Sequence, residues 1–466
     1  MATRSEKDTM GTVEVPSGAY YGAQTQRAIT NFPISGLKPH PALVRATLRI
    51  KKCAAQANMA TGRLDAEFGT AIVAAADQAL GGDFQDQFLV DPFQAGAGTS
   101  HNMNVNEVLA NRANELMGGK LGVYSKVNPN DHVNMAQSTN DVFPTAMRLA
   151  ALELADQVGA ELEGLVSTLL SKAVEFDGIL KSGRTHLQDA VPIRLGQEFA
   201  AYAQAIGNNL AGLTRTLPGL RELGIGGTAV GTGLNAEEAF IDQIVAGLAR
   251  ETGQELIRGS DLVERMQNMD PFVALCASLK GTAVNLIRIA NDLRLLSSGP
   301  RTGLGEIALP AMQPGSSIMP GKVNPVMAEV TNMVCFQVIG AELAVTMAAQ
   351  AGQLELNVMM PVIAYNTLFS LEILKNCLHQ FTTCCVAGIS ASEARCRSYL
   401  DQSVGLATVL APSIGYAAAA EVAKESAQSG KSIREVVLER GILSAAALDE
   451  VLAPYPLTSP GVHGEK

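Results

Sequence analysis

The sequence predicts a mainly α protein, an elongated bundle of long helices, and three observations carry that prediction. Apolar residues recur three or four positions apart over several long stretches, charged residues make up only 17% of the 466, and hydrophobic residues make up 47%. The spacing is the helical period. Sparse charge and abundant apolar surface mean that the helices are covered on most sides.

The clearest element opens at Asp270-Pro271, an N-cap followed by proline at the first helical position. Phe272, Leu275, Leu279, Ala283, Leu286, Ala290, Leu293 and Leu296 follow at helical spacing until Gly299-Pro300. That run is about 27 residues, or about 40 Å of helix. Val284, Ile287 and Ile289 add apolar side chains around the rest of its circumference. A second pattern starts near Pro144 and runs through Leu149, Leu152, Val158, Leu162, Leu165 and Leu169. A third starts near Pro192 and continues through Leu195, Phe199, Tyr202, Ile206 and Leu210 to Pro218. A fourth covers Val326 to about Gln350, and a fifth follows Pro361. Five such helices, poor in charge, predict a bundle completed by other copies of the chain.

The flanks read differently. Before residue 140 the pattern is shorter and mixed, with turn residues at Gly11, Pro16-Ser17-Gly18 and Asn31-Phe32-Pro33. The expected organisation is an N-terminal domain over 1–139, a long-helix domain over 140–394 and a small helical domain over 395–466. In the last, Ser432-Ile433-Arg434-Glu435 has capping-box spacing.

Composition excludes several functions. High hydrophobicity rules out disorder. With 35 Lys+Arg against 45 Asp+Glu the net charge is −10, unsuited to nucleic acid or an anionic membrane. The chain lacks Trp and is 5% aromatic, so base-stacking platforms are scarce. The opening MATRSEKDTM has no apolar core of a secretory signal. Residues 402–420, apolar but broken by Pro412 and two glycines, suit a buried helix–turn better than a membrane span. Seven scattered cysteines fit reduced thiols in the cytoplasm.

Polar residues concentrate in four stretches between the apolar ones: 96–107, 128–141, 183–189 and 314–325. Three of them precede a long helix, where free N–H groups and hydroxyl or amide side chains favour an anion. Ordinary N-capping would account for any one of them alone. Several together, two with a cation (Arg184, Lys322), point to a small polyanion. Neutral donors outnumber cations, which favours a carboxylate over a nucleotide. In the fourth stretch two glycines and three prolines define the backbone, and N–H groups after Ser316 would form an oxyanion nest.

Three decoys are set aside. Gly224-Ile225-Gly226-Gly227-Thr228-Ala229 matches a dinucleotide fingerprint, but no βαβ alternation surrounds it. Cys377, His379, Cys384 and Cys385 follow no zinc spacing. Ser316 with His186 lacks the G-x-S-x-G elbow of a hydrolase.

Gly315-Ser316-Ser317-Ile318-Met319-Pro320-Gly321-Lys322-Val323-Asn324-Pro325 resembles the signature loop of the fumarase/aspartase superfamily. The other three stretches and Asp8-Thr9-Met10-Gly11 are similar to further blocks of that family, over essentially the whole chain. The resemblance implies a fumarase/aspartase-like fold and a homotetramer with a core of about twenty helices, each active site assembled from three chains. It also implies reversible elimination from a small dicarboxylate to release fumarate, without a metal or organic cofactor. Gly98-Thr99-Ser100, Ser138-Thr139-Asn140-Asp141, Val326-Met327 and the Gln353 to Met359 stretch look like members that release ammonia from aspartate. Residues 4–36 and 298–306 read more like members that hydrate fumarate, which stands as the alternative. Met360 departs from the ammonia-releasing pattern, where an acid stands.

By the same resemblance, Ser316 is the base and the backbone of the 315–321 loop holds its alkoxide. Thr99, Ser138, Thr139, Lys322 and Asn324 hold carboxylate oxygens. Thr185 and His186 complete the pocket, Glu329 orients His186, and Ser100, Asn140 and Met319 are further substrate contacts. A helical scaffold without activity would need none of these groups.

Overall fold

The computed structural model describes residues 2–461. It opens with an antiparallel hairpin, β1 (Thr3–Asp8) and β2 (Gly11–Pro16), registered Asp8 against Gly11. Helices α1 (Ala23–Asn31), α2 (Pro41–Ala60), α3 (Ala66–Leu80) and α4 (Thr99–Leu116) follow, then α5 (Thr139–Glu175). A second hairpin, β3 (Leu180–Thr185) and β4 (Gln188–Arg194), leads to α6 (Leu195–Arg221), α7 (Glu238–Thr252), α8 (Leu262–Gln267) and α9 (Asp270–Leu296). Next come α10 (Val326–Gln350), α11 (Met360–Cys384), α12 (Glu393–Gln402), α13 (Leu406–Ile414), α14 (Tyr416–Ser429), α15 (Ile433–Glu439), α16 (Ala445–Val451) and α17 (Pro454–Leu457). The fold is mainly α, as the periodicity predicts.

The five expected long helices are α5, α6, α9, α10 and α11. All eight apolar positions named in α9 are buried, while Val284 on its other side is 54% exposed. Prolines mark the helix ends less well than expected. α5 begins at Thr139 with Pro144 inside it, at the cost of the one N–H that would otherwise bond the Asn140 carbonyl. Pro192 lies in β4 opposite Ser182, and α6 starts only at Leu195. α6 also runs past Pro218 to Arg221, where the Arg148 guanidinium donates to the Gly219 carbonyl at 2.6 Å.

Packing divides the chain into two compact units. One holds the residues up to Gly159, Ala211–Ala283 and Phe336–Lys375; the other holds Ala160–Leu210, Val284–Cys335 and the residues from Asn376. The boundary therefore falls within all five long helices. In the first unit a core of Val44, Leu48, Ile72, Val105, Val108 and Leu109 joins α2, α3 and α4 beneath the first hairpin. In the second, Leu180 of β3 packs with Leu400, Leu406, Leu410, Val436 and Val437 of the C-terminal helices. The Ser432/Glu435 capping box forms as its spacing predicts.

The decoy glycines form a loop: Gly226 and Thr228 donate backbone N–H groups to Asp141 at 3.1 and 3.0 Å. Cys377 and Cys384 lie on α11, Cys377 buried and 3.6 Å from the Thr331 hydroxyl.

Candidate functional site

In the first unit, the first polar stretch turns into α4 through strained backbone. Ala97 and Gly98 have φ of +62° and +83°, and a Cβ on Gly98 would lie 2.2 Å from the Phe143 ring. Only glycine fits there. The turn leaves Thr99 exposed as the first residue of α4, with Ser100 buried behind it. At the far end of the stretch Glu107 is occupied otherwise: its carboxylate accepts from the Gly22, Gln24 and Thr25 amides at the start of α1. Burial raises the pKa of Glu107 against these bonds.

The second stretch contains a single π turn, Pro129–Val133, and Ala136 at φ +59°. Ser138 then caps α5: its hydroxyl accepts from the Asn140 N–H at 3.2 Å, and Asp141 accepts from the Ser138 N–H at 2.9 Å. The Asn140 amide donates to the Ala229 carbonyl at 2.8 Å, so the glycine loop braces the start of α5. Thr139 is half-buried, and its hydroxyl accepts from Asn102 Nδ2 at 3.0 Å.

Beneath these residues lies a buried polar cluster that the sequence reading missed. Lys51, fully buried on α2, donates to Asn134 Oδ1 at 2.9 Å and Gln137 Oε1 at 3.0 Å. Burial without a contacting carboxylate pushes its pKa down to about 7. Burial likewise raises the Asp141 pKa. His101, 2.9 Å from the Thr47 hydroxyl, is pushed down to about 4. The available signal was the charge pattern of α2: Arg45, Arg49 and Lys52 fall on one face at helical spacing, and Lys51 lies off that face.

In the second unit, Thr185, His186 and Leu187 form the exposed tip of the β3–β4 hairpin. His186 and Leu187 both have positive φ, +54° and +59°, as in a two-residue turn that normally takes Asn-Gly. Side chains held in that region mark strain that the surroundings must support. The support is ionic. Glu306, wholly buried, lies 3.1 Å from Lys181 and 2.9 Å from Arg184, and Lys181 also meets Glu198 at 2.7 Å. Burial raises the Glu198 pKa.

The fourth stretch curls on itself. The Gly315 N–H donates to the Lys322 carbonyl at 2.7 Å, and Asn324 Nδ2 donates to the Gly315 carbonyl at 2.8 Å. A Cβ on Gly315 would sit 2.6 Å from that Lys322 oxygen. Ser316 Oγ accepts two backbone N–H groups, from Ile318 at 3.2 Å and Met319 at 3.0 Å. The Lys322 and Met319 side chains are exposed. Glu329 stands in the first turn of α10. Among the described residues the Glu329 carboxylate and the His186 ring have no hydrogen-bond partner, so this chain alone does not join them. Met360 is wholly buried at the start of α11.

The chain is thus mainly α, with polar turns at helix entrances and at one hairpin tip that suit a small anion. The chain belongs to the lyase family, which matches residues 11–340, and residues 406–459 match the fumarase C C-terminus. A relative from a Bacillus species, aspartate ammonia-lyase, is 51% identical over 463 residues, covering 99% of each chain. A Brucella melitensis structure described as fumarate lyase:delta crystallin bound to cobalt superposes with a TM-score of 0.95 at 49% identity, over 98% of this chain and 100% of that one. Class II fumarase from Schistosoma mansoni gives a TM-score of 0.92 at 38% identity, over 97% and 98%.

Proposed function

We propose that this protein is an aspartate ammonia-lyase, converting L-aspartate reversibly to fumarate and ammonia. Full-length identity near one half to a relative of that name supports the choice over a hydratase. The observation that carries the mechanism is the pair of N–H groups directed at Ser316 Oγ, because such donors stabilise an alkoxide and make the serine a usable base.

In this mechanism Ser316 removes a proton from the carbon beside the β-carboxylate. The electron pair moves into that carboxylate, giving an aci-carboxylate with one extra negative charge. The pair then returns to form the carbon–carbon double bond as the C–N bond breaks and ammonia leaves. Stabilising the added charge is the main demand. Lys322 supplies a cation for it, and Thr99, Ser138, Thr139 and Asn324 supply hydroxyl and amide groups. Thr185 and His186, on their strained tip, complete the pocket, with Ser100, Asn140 and Met319 around the substrate.

We read the working form as a cytoplasmic homotetramer in which three chains supply the residues of each site. A helix face supports this: Met333, Phe336, Leu343 and Met347 of α10 share one side and are each more than half exposed in the single chain. That apolar stripe calls for a cover. Glu329 of one chain then orients His186 of another.

The deciding assay follows the ultraviolet absorbance of fumarate with aspartate, then malate, as sole substrate. A rise with aspartate and none with malate is expected; a rise with malate alone makes the protein a hydratase.

A further inference from the structure

The buried cluster beneath Thr139 has a fixed donor–acceptor polarity. Asn134 Nδ2 donates to the Gln137 carbonyl at 3.1 Å, and Gln137 Nε2 donates to the carbonyls of Val133 and Met135 at 3.1 and 3.0 Å. Backbone carbonyls only accept, so both amides must turn their oxygens the other way. Those oxygens receive the Lys51 ammonium.

Asn134 Oδ1 also lies 3.2 Å from Asn102 Nδ2 and 3.2 Å from Asn106 Nδ2. Facing an oxygen already committed as acceptor, Asn102 must present its NH2 group. One hydrogen goes to Asn134, and the other goes to Thr139 Oγ1 at 3.0 Å. Thr139 therefore spends a lone pair inward, and its single proton is left to point outward. Its branched Cβ restricts the rotamer that would undo this.

We infer that Asn102, held by Asn134 and Lys51, is a positioning residue that makes the Thr139 hydroxyl an outward donor, matched to an oxyanion such as a carboxylate and mismatched to a donor. The inference rests on the reading that Thr139 faces the substrate. Without the lock, the hydroxyl can turn inward and offer the substrate a lone pair instead.

The test compares kcat/KM for aspartate across a small set of variants, each checked for assembly by light scattering. Asn102→Asp keeps the size of the side chain but removes the NH2 group, so Thr139 donates inward. Asn106→Asp puts the same charge one helical turn away, against the same Asn134 oxygen but away from Thr139. We expect Asn102→Asp to lower kcat/KM by about tenfold to a hundredfold, the range for a hydrogen bond to a charged group, mainly through KM. Asn106→Asp should cost far less, and in a Thr139→Val background Asn102→Asp should add almost nothing. Equal losses from the two aspartate variants, or an undiminished loss without the hydroxyl, would overturn the inference and leave the site reading intact. An active Thr139→Val enzyme would overturn both. If Asn102→Asp does not assemble, Asn102→Ser, too short to reach Thr139, serves in the same comparison.

Discussion

Glu306→Gln gives the sharpest view of how the hairpin carrying His186 is held. The wild-type carboxylate is wholly buried between Lys181, itself only 2% exposed, and Arg184. The substitution removes one charge and nearly preserves shape. Breaking a buried ion pair by deleting one partner costs about 3–5 kcal/mol. Lys181 keeps Glu198 at 2.7 Å, and Arg184 keeps the Tyr399 ring with its guanidinium carbon 5.6 Å from the centroid, so the lower end, about 3 kcal/mol, applies. Spent on local opening, that is about a hundredfold faster exchange of hairpin amides. Hydrogen exchange over residues 180–194 measures it, with α2–α4 as an internal reference. Unchanged protection in the hairpin, or equal loosening everywhere, would refute the claim that this ion cluster anchors the tip.

Three further predictions follow from the same geometry. Because His101 is held neutral well below its ordinary pKa of 6.5, the unfolded chain binds a proton between about pH 4 and 6.5 that the folded chain does not. Stability therefore rises with pH through that window and is lost as pH falls from 6.5 toward 4. Denaturant titrations at the two ends should show His101→Gln losing roughly 2–3 kcal/mol of this pH dependence; an unchanged acid limb contradicts it. Gly98→Ala should lower stability by about 2 kcal/mol or more and disturb Thr99, which thermal melting and KM would register; a melt like that of the wild type contradicts it. Lys322→Ala should raise KM for aspartate about tenfold to a hundredfold by removing a charge-assisted contact; an unchanged KM removes Lys322 from substrate binding.

The apolar skeleton was legible in the sequence because helix burial has a simple period, and the eight positions of the α9 stripe are all buried. The ends were read less well. Pro144 and Pro218 read as boundaries in the sequence, yet both lie inside helices near an end, where each removes a single backbone bond and the packing of a long apolar helix outweighs that loss. Concentrated polar residues located the four stretches. What the sequence did not disclose is the backing: Lys51 under Thr139 and Glu306 under the His186 hairpin stand far from the stretches they support. Nor did residue identity reveal that Ala97, Ala136 and His186 adopt positive φ, since alanine seldom does and histidine, though enriched there, does so in only a minority of its occurrences. Those strained positions fall in three of the four stretches, where tertiary contacts override local preference.

In the proposed tetramer Ser316 and Thr139 of one working site come from different chains, and mixing subunits puts that arrangement to the test. Ser316→Ala and Thr139→Val chains, each nearly inactive alone at aspartate well below KM, are co-expressed and the mixed tetramers purified and assayed at that concentration. Random assembly supplies each intact residue with probability one half, so about a quarter of wild-type fumarate production should return. Mixed tetramers as inactive as their parents would place both residues in one chain and contradict the account.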